Sequence, residues 1–194
     1  SQFNKLTLMY VLPLLIKIIE NGKNYTMKNS KKIVKVKSEF NDEASEEEQL
    51  TLALEIIASN GDLFEDASIP RTSIVQHLIE LLALPTKAKI SKDCFVTLCQ
   101  NIALTISSAD LKILLKNLIN PVSFVRSTIL EVLDDEFDLN PIEFSEELWV
   151  SRFDNEANNA EISQTIWNES NFKLDNSVPD KFIAYLGNED NGIR

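Results

Sequence analysis

The sequence predicts an all-α protein, an α-solenoid in which helical hairpins stack one on another. Only 4 glycines and 6 prolines occur in 194 residues, while residues that favour helix are abundant. Apolar positions also recur along the chain, since Leu81, Leu118, Phe153 and Leu186 fall in the same phase, separated by 37, 35 and 33 positions. Two helices per unit with such a drifting period are typical of a solenoid, here of about four and a half repeats.

The third repeat shows the hairpin most clearly. Its first helix, 111–119, carries apolar residues at positions 111, 114, 115 and 118 on one face. Its second helix, 125–133, does the same at positions 125, 129, 130, 132 and 133. Asn120 and Pro121 interrupt the pattern between them, and we expect Pro121 to lie in the first turn of the second helix.

The remaining repeats follow the same plan. The predicted helices are 10–19 and 46–59 in the first repeat, 74–82 and 93–103 in the second, 147–153 and the segment around Trp167 in the fourth, and 182–186 in the fifth. The pairs Asn21-Gly22 and Asn60-Gly61 are predicted to end the two helices of the first repeat. Residues 22–45 form a polar insertion that we expect to be a mobile loop, with a short strand at 32–37 as the alternative.

Charge and cysteine usage restrict the classes of function. The net charge is −11, with 30 acidic against 19 basic residues, so the chain as a whole is a poor candidate for nucleic-acid binding. Cys94 and Cys99 are spaced neither as a CxxC metal site nor as a disulfide framework, which indicates reduced core thiols in an intracellular protein. The most apolar run, Leu8–Ile16, is interrupted by Pro13 and is too short to span a membrane.

No grouping of residues predicts catalysis, a cofactor or a metal. His77 is the only histidine, so neither a catalytic triad nor a zinc site can be assembled around a second one. The acidic stretch 134–138 has no glycine, unlike a calcium loop, and is interpreted as a solvated helix end. Trp149 and Trp167 are expected to pack in the fold rather than to stack on bases. We therefore predict a protein that is not an enzyme.

The third repeat also carries a family resemblance. The spacing of Pro121, Val125 and Arg126 at the start of a second helix resembles a HEAT repeat. The resemblance implies that Arg126, and by phase Arg194, link neighbouring repeats through hydrogen bonds or ion pairs. Lys89 occupies this phase in the second repeat, whereas Glu161 occupies it in the fourth, so a continuous ladder of basic residues is in doubt.

Three segments, 120–126, 147–154 and 166–169, are similar to the general-control translational activators, very large ribosome-associated HEAT-repeat proteins of eukaryotes. The similarity is good over about residues 105–194 and thin before them, and the Asn- and Lys-rich composition would suit a fungal member. It implies a non-catalytic cytoplasmic scaffold that relays amino-acid starvation from the ribosome to the kinase of translation initiation factor 2, alongside an ABC-type partner. The alternative is a nuclear transport receptor or coat adaptor that binds basic cargo, since the acidic balance fits equally well.

One basic cluster within the insertion is a candidate binding site. Five lysines fall within ten residues and could contact ribosomal RNA through its phosphates: Lys28, Lys31, Lys32, Lys35 and Lys37. The alternative is a solubilising loop whose charge is balanced by the acidic stretch 42–48. Because the chain begins Ser-Gln and ends at Arg194, on the threshold of a second helix, we expect residues 1–194 to be one HEAT-repeat segment of a larger protein.

Overall fold

The computed structural model describes residues 4–29, 42–139, 145–170, 180 and 182–183, and every regular element in these ranges is helical. Short 3-10 helices, Gly61–Glu65, Ala103–Thr105 and Asn117–Ile119, follow three of the α-helices. The all-α class predicted from the sequence is confirmed. The α-helices are α1 (Lys5–Asn29), α2 (Asp42–Ser59), α3 (Thr72–Leu82), α4 (Ala88–Ile102), α5 (Ser108–Lys116), α6 (Ser123–Glu136), α7 (Glu146–Ser151) and α8 (Ala157–Glu169).

The first of two compact units covers residues 1–107. Helices α1 and α2 pair as one hairpin and α3 and α4 as the next. The hairpins stack in register, because α1 packs on α3 and α2 packs on α4. Apolar side chains from all four helices are withdrawn from solvent between them, among them Leu12, Ile19, Leu50, Ile57, Leu78, Phe95 and Leu98. This is the packing that a solenoid requires.

The second unit covers residues 108–194 and repeats this arrangement. Helix α5 continues through the 3-10 helix Asn117–Ile119, which packs against α6. Helices α7 and α8 form the following hairpin, with α6 packed on α8 and α7 packed on Asn117–Ile119 and α5. The hairpins predicted from the repeat period are therefore the ones observed.

The predicted end of the first helix at Asn21-Gly22 is wrong, because α1 continues to Asn29. Gly22 is buried, and a Cβ atom there would lie 3.0 Å from Leu50 Cδ2. The glycine thus lets α2 approach α1 closely and does not cap the helix. The expected mobile loop at 22–45 is corrected accordingly, since 22–29 belong to α1 and 42–45 to α2. Residues 30–41, including the alternative strand at 32–37, lie outside the described residues.

The turn between α5 and α6 also differs from the prediction. Asn120 Oδ1 accepts a hydrogen bond of 2.9 Å from Val122 N, and α6 begins only at Ser123. Pro121 therefore lies in the turn before the helix and not in its first turn. The Asn120 side chain thus accepts a hydrogen bond from the first backbone N–H after Pro121, whose own nitrogen has no hydrogen to donate.

The cysteines lie in the core, as the sequence analysis predicts. Cys94 and Cys99 are both free and buried. Burial raises the pKa of the Cys94 thiol to about 12, so this thiol stays protonated at neutral pH. Within the described part of the chain, no helix combines the length and apolar content needed to cross a membrane.

Candidate functional site

The candidate lysine cluster falls almost wholly outside the described residues. Lys31, Lys32, Lys35 and Lys37 lie there, as does Arg194, and only the backbone of Lys28, within α1, is described. Their contact with ribosomal RNA stays a prediction. The polar geometry that the structure does give lies at the joints between successive hairpins.

The Arg126 junction is formed by Arg126 in the first turn of α6 and by Asp154 and Asn155 in the turn between α7 and α8. Arg126 Nε donates to Asp154 Oδ2 at 2.6 Å, and Nη2 donates to Asp154 Oδ1 at 2.8 Å. Nη2 also lies 3.1 Å from Asn155 Oδ1, while Nη1 donates to the Asn120 carbonyl at 2.9 Å. One planar guanidinium thus joins the turn of its own hairpin to the turn of the next.

The surroundings of Asp154 favour its charged form. Burial alone would raise the pKa of this carboxyl, but hydrogen bonds from Arg126, Glu156 N and Asn159, with the positive charge of Arg126, lower the pKa below its usual value. Only 12% of the Arg126 side chain and 2% of the Asp154 side chain are exposed. The pair is therefore a desolvated, two-point ion pair rather than a surface contact.

In the second repeat, the lysine that bonds to a neighbouring hairpin is Lys87 and not Lys89, the residue that the repeat period indicated. Lys89 is exposed, whereas Lys87, which precedes α4, is buried and lies 3.1 Å from Glu47 Oε1 of α2. The predicted position was therefore wrong by two residues. Lys87 bonds to the preceding hairpin, whereas Arg126 bonds to the following one, so the two basic residues point in opposite directions along their stacks.

The fourth repeat contributes a hydrogen-bond acceptor, Asp154, to the junction rather than a basic residue of its own. Glu161 is exposed on α8, as its degenerate position suggested. Asn159 is buried, and its Nδ2 lies 3.2 Å from Asp154 Oδ2, so it supports the carboxylate that receives Arg126. The repeat is degenerate in sequence yet takes part in the junction through Asp154.

A charged cluster also joins α1 to α3. Lys23 Nζ donates to Glu80 and lies 2.6 Å from His77 Nδ1. His77 Nε2 lies 3.3 Å from Glu20 Oε1 on the other side of the ring. Burial alone would raise the pKa of Glu80, but the hydrogen bond and the positive charge of Lys23 lower it below its usual value. His77 on α3 therefore contacts two charged residues of α1 and bridges the two hairpins.

Arg71 joins the segment that follows α2 to the segment that follows α4 in the first unit. The residue is 3% exposed, and its Nη1 donates at 2.9 Å both to the Phe64 carbonyl and to Thr105 Oγ1. Nη2 donates to the Thr105 carbonyl. A single guanidinium thereby bonds to carbonyl groups of the two 3-10 helices that follow α2 and α4.

The two tryptophans pack against each other, in agreement with the prediction that they belong to the fold. The ring centroids of Trp149 on α7 and Trp167 on α8 are 5.0 Å apart in an edge-to-face arrangement. The Arg152 guanidinium lies 4.1 Å from the Trp149 centroid and 5.0 Å from that of Trp167. Phe182 contacts Trp149 at 5.5 Å, so the cluster also reaches the helical residues of the fifth repeat. These contacts stabilise the joint through π-stacking and cation–π attraction.

The acidic end of α6 lines a small cavity. Asp134 and Asp138 lie there with Glu169 and Ser170 of the α8 end, above an apolar floor that includes Leu133. Burial, followed by repulsion from Asp135 and Glu169, raises the pKa of Asp134. Among the described residues, no group of three or more His, Cys, Asp or Glu side chains is placed to hold a metal ion.

Sequence reasoning missed Arg71, Lys87 and Asp154. Arg71 and Lys87 each follow a proline, Pro70 and Pro85, within two residues, and this proximity was a usable signal for a basic residue in a hairpin turn. Asp154 gives no comparable local signal, because its role depends on a partner 28 positions away.

Comparison with known proteins connects these repeats to one family. A family model described as fungal GCN1-like HEAT repeats matches residues 1–83. A second, described as HEAT repeats of the stalled ribosome sensor GCN1, matches residues 134–194. No solved structure matches the chain.

A curated relative supports the same assignment. The eIF-2-alpha kinase activator GCN1 of Saccharomyces cerevisiae is 46% identical over 195 residues, which cover 100% of this chain. The chain spans 7% of the length of that relative. Identity along the whole chain, the two family matches and the stacked hairpins agree with one another. The chain therefore belongs to the GCN1 family of HEAT-repeat proteins.

Proposed function

We propose that this chain is a non-catalytic scaffold segment of a ribosome-associated activator of the eIF-2-alpha kinase. The observation that carries the proposal is the 46% identity along the whole chain to a yeast protein named for that activity. The description of the second matching family as a stalled ribosome sensor supports the link to the ribosome. No observation favours the alternative of a nuclear transport receptor or coat adaptor.

The location and partners follow from the same similarity. The longer protein would act in the cytoplasm on ribosomes and would contact the eIF-2-alpha kinase during amino-acid starvation. An ABC-type partner is implied by the resemblance alone. Each of the two units would contribute a folded spacer, since the charged residues Lys23, Lys87 and Arg126 are bonded within their own units.

The test uses the longer protein with this segment intact or exchanged. Ribosome co-sedimentation and phosphorylation of eIF-2-alpha after amino-acid withdrawal are measured for the wild type and for a chimera that carries the aligned yeast segment. We expect both proteins to pellet with ribosomes and to support phosphorylation, because the segments share 46% of their residues. A wild-type protein that remains in the supernatant and leaves phosphorylation unchanged would contradict the proposed function.

Within this function, we propose that the lysine cluster contacts ribosomal RNA through its phosphates. The support is its charge density, five lysines within ten residues of a protein with net charge −11. Phosphate contacts release counterions, so each lost contact reduces the salt dependence of binding by a slope of about 0.7–0.9. Deleting residues 22–45 would shorten α1 and α2, so alanine substitution is the cleaner perturbation.

The experiment compares two variants that lower the net charge equally. One replaces Lys31, Lys32, Lys35 and Lys37 by alanine. The matched control replaces four exposed lysines outside the cluster: Lys17, Lys89, Lys112 and Lys116. We expect weaker ribosome binding and a shallower salt dependence for the first variant only. Equal binding by both variants would make the cluster a solubilising segment.

A further inference from the structure

The ring of His77 lies among charged side chains at the joint between the first two hairpins. From α1, Lys23 Nζ lies 2.6 Å from Nδ1, and Glu20 Oε1 lies 3.3 Å from Nε2. On α3 itself, Glu80 Oε2 lies 3.7 Å from Nδ1 and also accepts a hydrogen bond from Lys23. Helix α4 packs on α3 as well, yet among the described residues it gives His77 no charged partner. The ring is therefore surrounded by two negative groups and one positive group.

The chemistry of Lys23 determines which nitrogen of the ring carries the proton. An ammonium group only donates hydrogen bonds, so the contact of 2.6 Å requires a lone pair on His77 Nδ1. A neutral imidazole with a free Nδ1 has its proton on Nε2, and here that N–H faces the Glu20 carboxylate. The neutral ring thus accepts a hydrogen bond from one residue of α1 and donates towards another.

Proton uptake by the ring is incompatible with the first of these contacts. An imidazolium carries an N–H at both nitrogens, so Nδ1 would then direct a hydrogen at the Lys23 ammonium. Only 15% of the His77 side chain and 16% of the Lys23 side chain are exposed, so water screens the two positive charges weakly. The carboxylates of Glu20 and Glu80 attract the same proton, so these contacts strengthen while the contact with Lys23 is lost.

We propose that His77 makes the joint between α1 and α3 sensitive to pH, because proton binding at Nδ1 breaks the hydrogen bond from Lys23. Histidine is the side chain that ordinarily titrates between pH 5 and 8, and His77 is the only histidine of the chain. Lys23 and the two carboxylates respond to the proton in opposite directions, so the total stability of the unit is an insensitive measure. The coupling between His77 and Lys23 is the quantity that changes. This inference does not rest on the proposed function.

The first measurement follows the ring itself in the wild-type chain. Nitrogen-15 NMR distinguishes a protonated from an unprotonated Nδ1, and the single imidazole gives its signals without a competing histidine. We expect an unprotonated Nδ1 at pH 8 and an imidazolium at pH 5. A proton on Nδ1 at pH 8, or a ring that stays neutral at pH 5, would overturn the proposal.

A double-mutant cycle then measures the coupling at both pH values. Lys23→Ala, His77→Ala and the double variant are compared with the wild type by the rate at which 4,4′-dithiodipyridine labels Cys94, a buried thiol of the same unit that reacts when the unit opens. Rates are compared at one pH at a time, so the thiolate fraction cancels from their ratios. The matched control is the cycle of Lys87→Ala and Glu47→Ala, a pair that joins the same two hairpins without a histidine.

We expect the coupling of Lys23 to His77 to change the opening equilibrium by at least about fivefold at pH 8 and by less than about 1.5-fold at pH 5. The coupling of Lys87 to Glu47 should differ by less than about twofold between the two pH values. A Lys23–His77 coupling that is equal at pH 8 and pH 5, or absent at both, would overturn the proposal. The NMR measurement uses the wild type, so it decides the matter even where a variant does not fold.

Discussion

Removing the guanidinium of the Arg126 junction is predicted to destabilise the second unit strongly. Arg126→Met keeps most of the aliphatic stem but leaves Asp154, 2% exposed, as a buried carboxylate without its counter-ion. Breaking a buried ion pair at one partner costs about 3–5 kcal/mol, and the residual 12% exposure of Arg126 favours the lower end, about 3 kcal/mol.

The assay follows urea unfolding by tryptophan fluorescence. Trp149 and Trp167 are the only two tryptophans, and both lie in the second unit. With a urea dependence of about 1.5 kcal/mol/M for a unit of this size, a loss of about 3 kcal/mol lowers the midpoint by about 2 M. Lys116→Met is the control, since it removes one positive charge from an exposed position of the same unit and should change the free energy of unfolding by at most about 0.5 kcal/mol.

A double variant tests the reasoning itself. If the cost arises from the stranded charge, then adding Asp154→Asn to Arg126→Met should restore about 1–2 kcal/mol, because a neutral amide is less costly to bury than a carboxylate. A double variant less stable than Arg126→Met alone would refute the argument. A loss below about 1 kcal/mol for Arg126→Met would show that the pair behaves as a surface contact.

Three further predictions concern other positions. The pKa of Asp154 is lowered in the folded state, so the carboxylate contributes stability above its unfolded pKa of about 3.8, and this stability is lost as the pH falls through the lower folded pKa. Asp154→Asn should therefore flatten the pH dependence of the free energy of unfolding below about pH 4. An unchanged pH profile would contradict this. Gly22→Ala should destabilise the first unit by about 1–2 kcal/mol despite the better helix propensity of alanine, because the new Cβ meets the buried Leu50 at 3.0 Å; a thermal scan that shows stabilisation would mean that Leu50 can move. With its pKa raised to about 12, the Cys94 thiol should react with a disulfide reagent at pH 8 only when the protein unfolds, and rapid reaction under native conditions would disprove its burial.

The repeat plan could be predicted from the sequence because apolar spacing reports helical faces directly. The second, third and fourth hairpins and their order were found from the phases of Leu81, Leu118 and Phe153. The ends of the helices were harder to predict from the sequence. The pair Asn21-Gly22 has the composition of a helix stop, yet Gly22 serves the contact with Leu50, and a tertiary contact of this kind has no local signature.

The junctions show a second limit of sequence reasoning. The repeat period drifts from 37 to 33 positions, so phase alone places a residue only within about two positions, which is the error that selected Lys89 in place of Lys87. The partner of Arg126 is harder still, because Asp154 belongs to the next hairpin and its sequence position follows only from the packing of α6 on α8 and the turn before it.

Several basic residues of the described structure already bind other groups of the fold, and this limits where a phosphate could bind. Lys5, Lys23, Lys87 and Arg126 each contact a carboxylate, Arg71 donates to carbonyls, and Arg152 lies against the Trp149 and Trp167 rings. Engaging any of these side chains with RNA would require breaking a contact that joins elements of the fold, and breaking the buried ones is costly. A phosphate contact made by this segment should therefore depend on lysines outside the junctions. The alanine variants of the lysine cluster and of the exposed control lysines then show which of these outside lysines make the contact.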